Sequence, residues 1–185
     1  MTNWKTHHKN TVFTSGKWLA VEDRTVESPD GQTIEHWCWV TSPDFVNIFA
    51  VMEDGRALLF RQGKYGLDGD SLAPMGGYME PGEQPLAAAK RELLEETGCE
   101  ARRWIELGRY IVDPNRGVAW GSMFLALGVK KVTGESGDDI ERQEQVLLTL
   151  DEVESALLSG QFRVMSWATC TALALMKLRQ NQLGI

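Results

Sequence analysis

Apolar and polar positions change rhythm along this chain. Over the first third they follow the two-residue period of strands, and later stretches show the wider spacing of helices. Residues 11–28, TVFTSGKWLAVEDRTVES, are rich in aromatic and β-branched side chains and run into Ser28-Pro29-Asp30-Gly31, a turn signal. Residues 32–42, QTIEHWCWVTS, read as a strand with Ile34, Trp37 and Trp39 as its apolar positions. Residues 45–62, FVNIFAVMEDGRALLFRQ, predict two strands joined at Glu53-Asp54-Gly55, a strong hairpin turn. The Gly- and Asp-rich stretch 63–77 reads as a loop. A helix is expected from Pro85 to Glu96, with Pro85 suited to its first turn and Gly98 to its C-terminal cap. Two further strands, 101–114 and 120–132, flank a loop at Asp113–Gly117. The polar run 133–145 reads as a loop or a helix start. A short apolar strand (146–150) and two amphipathic helices (150–161 and 164–180) follow. Strands alternating with a few helices predict an α+β or α/β sandwich with a mixed sheet. Residues 1–42 are expected to form a small β extension and 43–185 the main domain.

Composition narrows the function. The net charge is −7, from 26 acidic and 19 basic residues, which disfavours nucleic acid as a partner. No apolar stretch reaches the roughly 18–20 residues that span a bilayer. The N-terminal MTNWKTHHKN lacks the apolar core of a signal peptide, so the expected location is cytoplasmic, away from membranes. Cys38, Cys99 and Cys170 have no metal-binding or redox spacing and read as reduced core cysteines.

The chemistry concentrates in residues 77–99, GYMEPGEQPLAAAKRELLEETGC. Glu92, Glu95 and Glu96 crowd the end of the expected helix, where like charges four apart cost roughly 0.2–0.5 kcal/mol. Glu92 and Glu96 share one face and Glu95 flanks them. Such a cluster suits a hard divalent cation, which takes oxygen ligands and brings phosphates with it. Taken alone, KRELLEE also fits a solvated charged helix face. The positions of Gly77, Glu83 and Gly98 around it argue against that.

By spacing the segment is G-x5-E-x7-R-E-U-x-E-E-x-G-U, where U is a bulky apolar residue. Gly77, Glu83, Arg91, Glu92, Leu93, Glu95, Glu96 and Gly98 match it, and Cys99 stands at the last position. It resembles the Nudix box, the signature of the Nudix hydrolases. The resemblance implies an α/β/α sandwich and Mg²⁺ (or Mn²⁺) held by Glu92, Glu95, Glu96 and the carbonyl of Gly76. Arg91 would orient the box carboxylates, and Glu83 would take the structural or metal-supporting glutamate position. Gly77 and Gly98 would serve the turn and the cap.

Beyond the box, Asp54-Gly55, the strand end Leu58-Leu59-Phe60-Arg61-Gln62 and Pro114 resemble the ADP-ribose and ADP-sugar pyrophosphatase branch. The segment 72–77, LAPMGG, departs from that branch, which carries a glutamate early in this run. The resemblance implies cleavage of a nucleoside diphosphate sugar, with ADP-ribose giving AMP and ribose 5-phosphate. It also implies a homodimer made through the N-terminal β element. The catalytic base would lie in the acidic loop after the box, at Glu141 or else Glu144, with the box glutamates, Glu95 among them, as the source used in other branches. Arg61, Lys64 and Arg116 are candidate phosphate contacts, Arg61 and Lys64 equally readable as surface charges. Trp37 or Trp39 can stack on a base, or pack in the core or a dimer contact. The alternatives are another nucleotide substrate (a GDP-sugar, a dinucleotide polyphosphate or an oxidised nucleoside triphosphate) or a nucleotide sensor that does not cleave. A sensor is expected to lose box carboxylates or Arg91, and this chain keeps them.

Overall fold

A computed structural model of the chain describes residues 3–133 and 143–182. The chain divides into two compact units. One comprises the described residues up to Asp44 together with Tyr110–Trp120; the other comprises Phe45–Arg109 and the described residues from Gly121 onward.

The first unit is built on an antiparallel three-stranded sheet, β1 (Lys5–Ser15), β2 (Leu19–Glu27) and β3 (Thr33–Thr41), in the order β1-β2-β3. The Ser28–Gly31 turn closes through Ser28 N–H to Gln32 O at 2.9 Å. In β3 the half-buried residues include Ile34, Trp37 and Trp39, a spacing that strict alternation does not allow. His36 has φ 59°, and the β2–β3 register shifts between Arg24 and Val26. A bulge thus inserts one residue and brings Trp37 into phase with Ile34. The outer end of a later hairpin joins this unit because its carbonyls serve β3. Asn115 O accepts from the Trp37 indole N–H at 2.8 Å and Arg116 O from Val40 N–H at 2.7 Å. The Arg24 guanidinium lies 4.2 Å from the Trp39 ring centroid. A Cβ on Gly117 would fall 1.9 Å from that same ring, so glycine is required there. Cys38, expected in a core, is exposed, since it sits between Trp37 and Trp39 on the opposite face of β3; Cys99 and Cys170 are buried.

The second unit contains β4 (Phe45–Met52), β5 (Ala57–Gly63), β6 (Asp70–Ala73), α1 (Pro85–Thr97), β9 (Gln143–Leu148), α2 (Leu150–Leu158), α3 (Met165–Gln182) and most of β7 (Cys99–Asp113) and β8 (Val118–Lys131), whose joined ends at 110–120 belong to the first. The sheet order is β6-β5-β4-β8-β7, with β9 also paired to β5. The sheet is mixed: β4 runs parallel to β8 and antiparallel to β5. Residues 46–51 of β4 are all buried, which explains their near-continuous apolar run. Helices α1 and α3 both pack on β4, the layering of an α/β/α sandwich.

Strand β6 corrects the reading of 63–77 as a loop throughout. Its neighbours are Gly and Asp, so local composition hides it. Long-range pairing creates it, through Phe60↔Ala73 and Gln62↔Ser71. Strands β4 and β5 pair only at Ala50↔Leu58 and Val51↔Ala57. Beyond that β5 turns to β6, while β4 bridges to Met75 and Tyr78. The divergence of these central strands positions the site.

Candidate active site

A cleft of about 830 Å³ opens in the second unit. Its lining includes Asn47 and Gln62 from the diverging strands, Gly76 and Gly77 from the segment bridging to β4, and Glu92, Glu95 and Glu96 from α1. Helix α1 points its C-terminal turns there and ends where Gly98, at φ 65°, donates its N–H to Leu94 O at 2.8 Å. That left-handed cap favours glycine.

Arg91 organises the carboxylates. Its Nε donates to Glu83 Oε1 at 3.0 Å and its Nη2 to Glu83 Oε2 at 2.9 Å, a two-pronged pair. Its Nη1 reaches Glu92 Oε1 at 2.7 Å and Glu95 Oε2 at 3.0 Å. Glu83 also accepts from Glu80 N–H at 2.9 Å, which braces the approach to the helix. Glu96 accepts from Gly76 N–H at 3.2 Å. The Arg91 hydrogen bonds hold the Glu83 carboxyl below its ordinary range. Glu92 goes the other way: burial pushes its pKa up despite Arg91, and Glu95 and Glu83 add to the rise.

Two glycines permit this packing. A Cβ on Gly77 would fall 2.4 Å from the Glu92 carboxyl carbon, and one on Gly76 would fall 2.1 Å from Val46 O. Backbone and carboxylate therefore approach more closely than any side chain allows.

Among the described residues no three acidic, His or Cys side chains already converge on one point as a metal cage. The donor chemistry nevertheless fits a magnesium-type ion. Such ions take carboxylate and carbonyl oxygens, and keep several waters and substrate phosphates rather than an all-protein cage. One guanidinium faces three carboxylates here, with Glu96 beside them, and burial disfavours the charged form of Glu92. A cation answers both conditions.

The other candidate residues fall in different places. Lys64 lines the cleft. Arg61 is exposed on β5, and its cross-strand partner is Glu144 of β9. Glu144 is exposed as well, while its neighbour Gln143 lines the cleft, as strand alternation requires. Arg116 belongs to the first unit, where its backbone N–H caps Asp113 Oδ1 at 3.2 Å. Glu141 lies outside the described residues. Trp37 packs against Trp4 within the first unit, the ring centroids 5.5 Å apart and the planes tilted by 45°. Asn47 and Gln62 carry little signal in the sequence; for Asn47 it is an amide inside the otherwise apolar run FVNIFAVM.

A family model for the NUDIX domain matches residues 42–168. The chain belongs to the Nudix family. It is a Nudix hydrolase of the ADP-ribose pyrophosphatase-like group. It is 30% identical over 151 residues to a methanol dehydrogenase activator of Bacillus methanolicus, covering 80% of each chain. It is 30% identical over 150 residues to an ADP-ribose pyrophosphatase of Bacillus subtilis (strain 168), again covering 80% of each. The Nudix fold is also that of the crystal structure of an ADP compounds hydrolase, with a TM-score of 0.79 at 22% identity over 97% of this chain and 96% of that one.

Proposed function

We propose that this Nudix hydrolase cleaves the diphosphate linkage of a nucleoside diphosphate sugar, with ADP-ribose as substrate and AMP and ribose 5-phosphate as products. The observation that carries the reading is the carboxylate set of α1, drawn together by Arg91 at a cleft whose glycines leave room for backbone and carboxylate to meet. The similarity to an ADP-ribose pyrophosphatase supports the choice of substrate.

Glu92, Glu95, Glu96 and the carbonyl of Gly76 would hold Mg²⁺, with Mn²⁺ as a substitute. When bound, the ion would neutralise the diphosphate and acidify the attacking water. The chain's own residues do the rest. Arg91 fixes Glu92 and Glu95 toward the cleft and keeps Glu83 paired. Lys64, on the cleft wall, meets the phosphates. The carboxylate of Glu141 takes the proton of the water that attacks phosphorus in line. Glu144 is the weaker choice of base because its neighbour Gln143 is the β9 residue at the cleft. In the first unit, exposed Val12, Phe13 and Trp18 suit pairing with a second copy, which sedimentation would register as a dimer.

The test is a substrate panel with Mg²⁺: ADP-ribose, GDP-mannose, a dinucleotide polyphosphate and an oxidised nucleoside triphosphate, followed by product release. Cleavage of ADP-ribose above the others is expected. Preference for another member moves the substrate, and tight binding without cleavage makes the protein a sensor. Glu141→Gln should lower kcat by about 10²–10⁴-fold while the metal dependence of the remaining rate stays as it was. Near-normal turnover would move the base to Glu144 or to Glu95.

A further inference from the structure

Among the described residues, two amide oxygens on the cleft strands lack a hydrogen-bond partner. Asn47 on β4 and Gln62 on β5 are only 4% and 5% exposed, and both line the cleft. Among the described residues, Asn47 Oδ1 and Gln62 Oε1 are buried without a hydrogen-bond partner. A buried acceptor left unpaired costs about 1–3 kcal/mol. Two of them in one cleft, on the two strands whose divergence opens it, imply a ligand that supplies donors there.

The chemistry of that ligand follows from what the amides are. A phosphate brings only acceptors and would meet an amide oxygen unfavourably. A cation has the carboxylates of α1 in the same cleft and would go to them. Uncharged O–H or N–H donors remain. Asn47 lies beside Gly76: a Cβ on Gly76 would fall 2.8 Å from the Asn47 amide nitrogen. The amide therefore sits at the carboxylate end, where the proposed reading puts the diphosphate. The hydroxyls of a ribose on either phosphate lie within a few bonds of the diphosphate, whereas the amino group of a base is a whole ribose further away.

We propose that Asn47 and Gln62 are specificity-determining residues that accept hydrogen bonds from the hydroxyls of a ribose attached to the diphosphate. A site built to hydrogen-bond a hydroxyl rejects the analogue that lacks it far more strongly than an apolar pocket rejects an added group. The inference rests on the proposed reading of the cleft as a nucleoside diphosphate sugar site.

The experiment measures binding, so it does not depend on turnover. Ribose 5-phosphate and pentyl phosphate carry the same charge, but only the first has hydroxyls. Each is titrated, with Mg²⁺ present, into the protein and into Asn47→Leu and Gln62→Leu, following the side-chain amide signals by NMR. The wild type is expected to bind ribose 5-phosphate at least about tenfold more tightly than pentyl phosphate, and each leucine variant to lose most of that ratio. Thermal unfolding without ligand separates this role from a structural one. Replacing an unpaired buried amide by an apolar group of similar size should leave Tm unchanged or raised. Equal affinity of the wild type for the two phosphates, or a ratio that survives both substitutions, overturns the inference. So does an Asn47→Leu variant that melts well below the parent. If ADP-ribose is cleaved but the ratio is absent, only this inference fails. If the ratio is present but ADP-ribose is not cleaved, the inference stands and the proposed substrate falls.

Discussion

Helix α2 begins at Thr149, whose hydroxyl accepts from Glu152 N–H while the Glu152 carboxylate accepts from Thr149 N–H at 2.8 Å, and Asp151 and Glu152 fill its first turn. Helix α1 begins at Gln84, which makes no side-chain cap, and has no acidic residue in its first turn. Its glutamates sit toward the C-terminal end, where the helix dipole is already negative, and its last turn contains no basic residue. At its N-terminus α2 satisfies its own backbone and complements its own field. The N-terminus of α1 does neither, and its other end is held by Arg91, by the Gly76 N–H and by the Gly98 cap. A helix that gives up local stability while gathering carboxylates at a cleft is arranged for something that binds there. One that opens on a complete capping box with acidic residues in its first turn is arranged to fold.

The contrast breaks first at Glu92. If α1 serves the reaction, Glu92→Gln should cut turnover on the order of a thousandfold, the equivalent of several kcal/mol of lost charge stabilisation. The metal-free protein should remain folded by circular dichroism. The opposite outcome, normal turnover with a collapsed fold, would make α1 a structural helix like α2.

Gly77→Ala sharpens the same point without touching a charge. Its methyl would push the Glu92 carboxylate aside, so activity should need about 10–100-fold more Mg²⁺, as when a supporting group around a metal ligand is removed. Arg91→Ala acts on stability instead. With a side chain about one quarter exposed (26%), it should cost about 1–3 kcal/mol in urea unfolding, less than the 3–5 of a fully buried pair. Mg²⁺ should return part of that loss by binding the folded state. Arg91→Lys should not rescue it, because an ammonium cannot fork between Glu83, Glu92 and Glu95.

What could be read in the sequence, and what could not, divides along the same line. The box was legible because its constraints are local: Gly98 caps, Pro85 starts, and Arg91 lies four before Glu95. The hairpin at Asp54-Gly55 was legible for the same reason, as Gly55 takes φ 87°. Strand β6 was not, because pairing with β5 makes it a strand and its own Gly/Asp surroundings do not. Nor was the attachment of 110–120 to the first unit, which rests on two backbone carbonyls meeting β3. Asn47 and Gln62 were hidden most completely. Each sits in a stretch that reads as ordinary strand, and only the divergence of β4 from β5 makes a cleft residue of it.

The smallest effect tests the other side of the comparison. Thr149→Ala removes the hydroxyl from the α2 capping box and should cost about 0.5–2 kcal/mol of stability. It should leave kcat alone, since Thr149 is not among the residues lining the cleft. Its pH dependence follows from Glu152, whose carboxyl is held below its ordinary value of 4.5, first by the Thr149 backbone N–H and then by the hydroxyl. A carboxylate whose folded pKa is depressed contributes stability above its unfolded pKa, and that contribution is lost as pH falls through the folded value. The variant loses the hydroxyl's share, so the difference in Tm between parent and Thr149→Ala should be full at pH 7 and narrow below about pH 4.5. A gap that stays constant into acid would mean that the hydroxyl serves only the Glu152 N–H and adds nothing to the stabilisation of the Glu152 carboxylate.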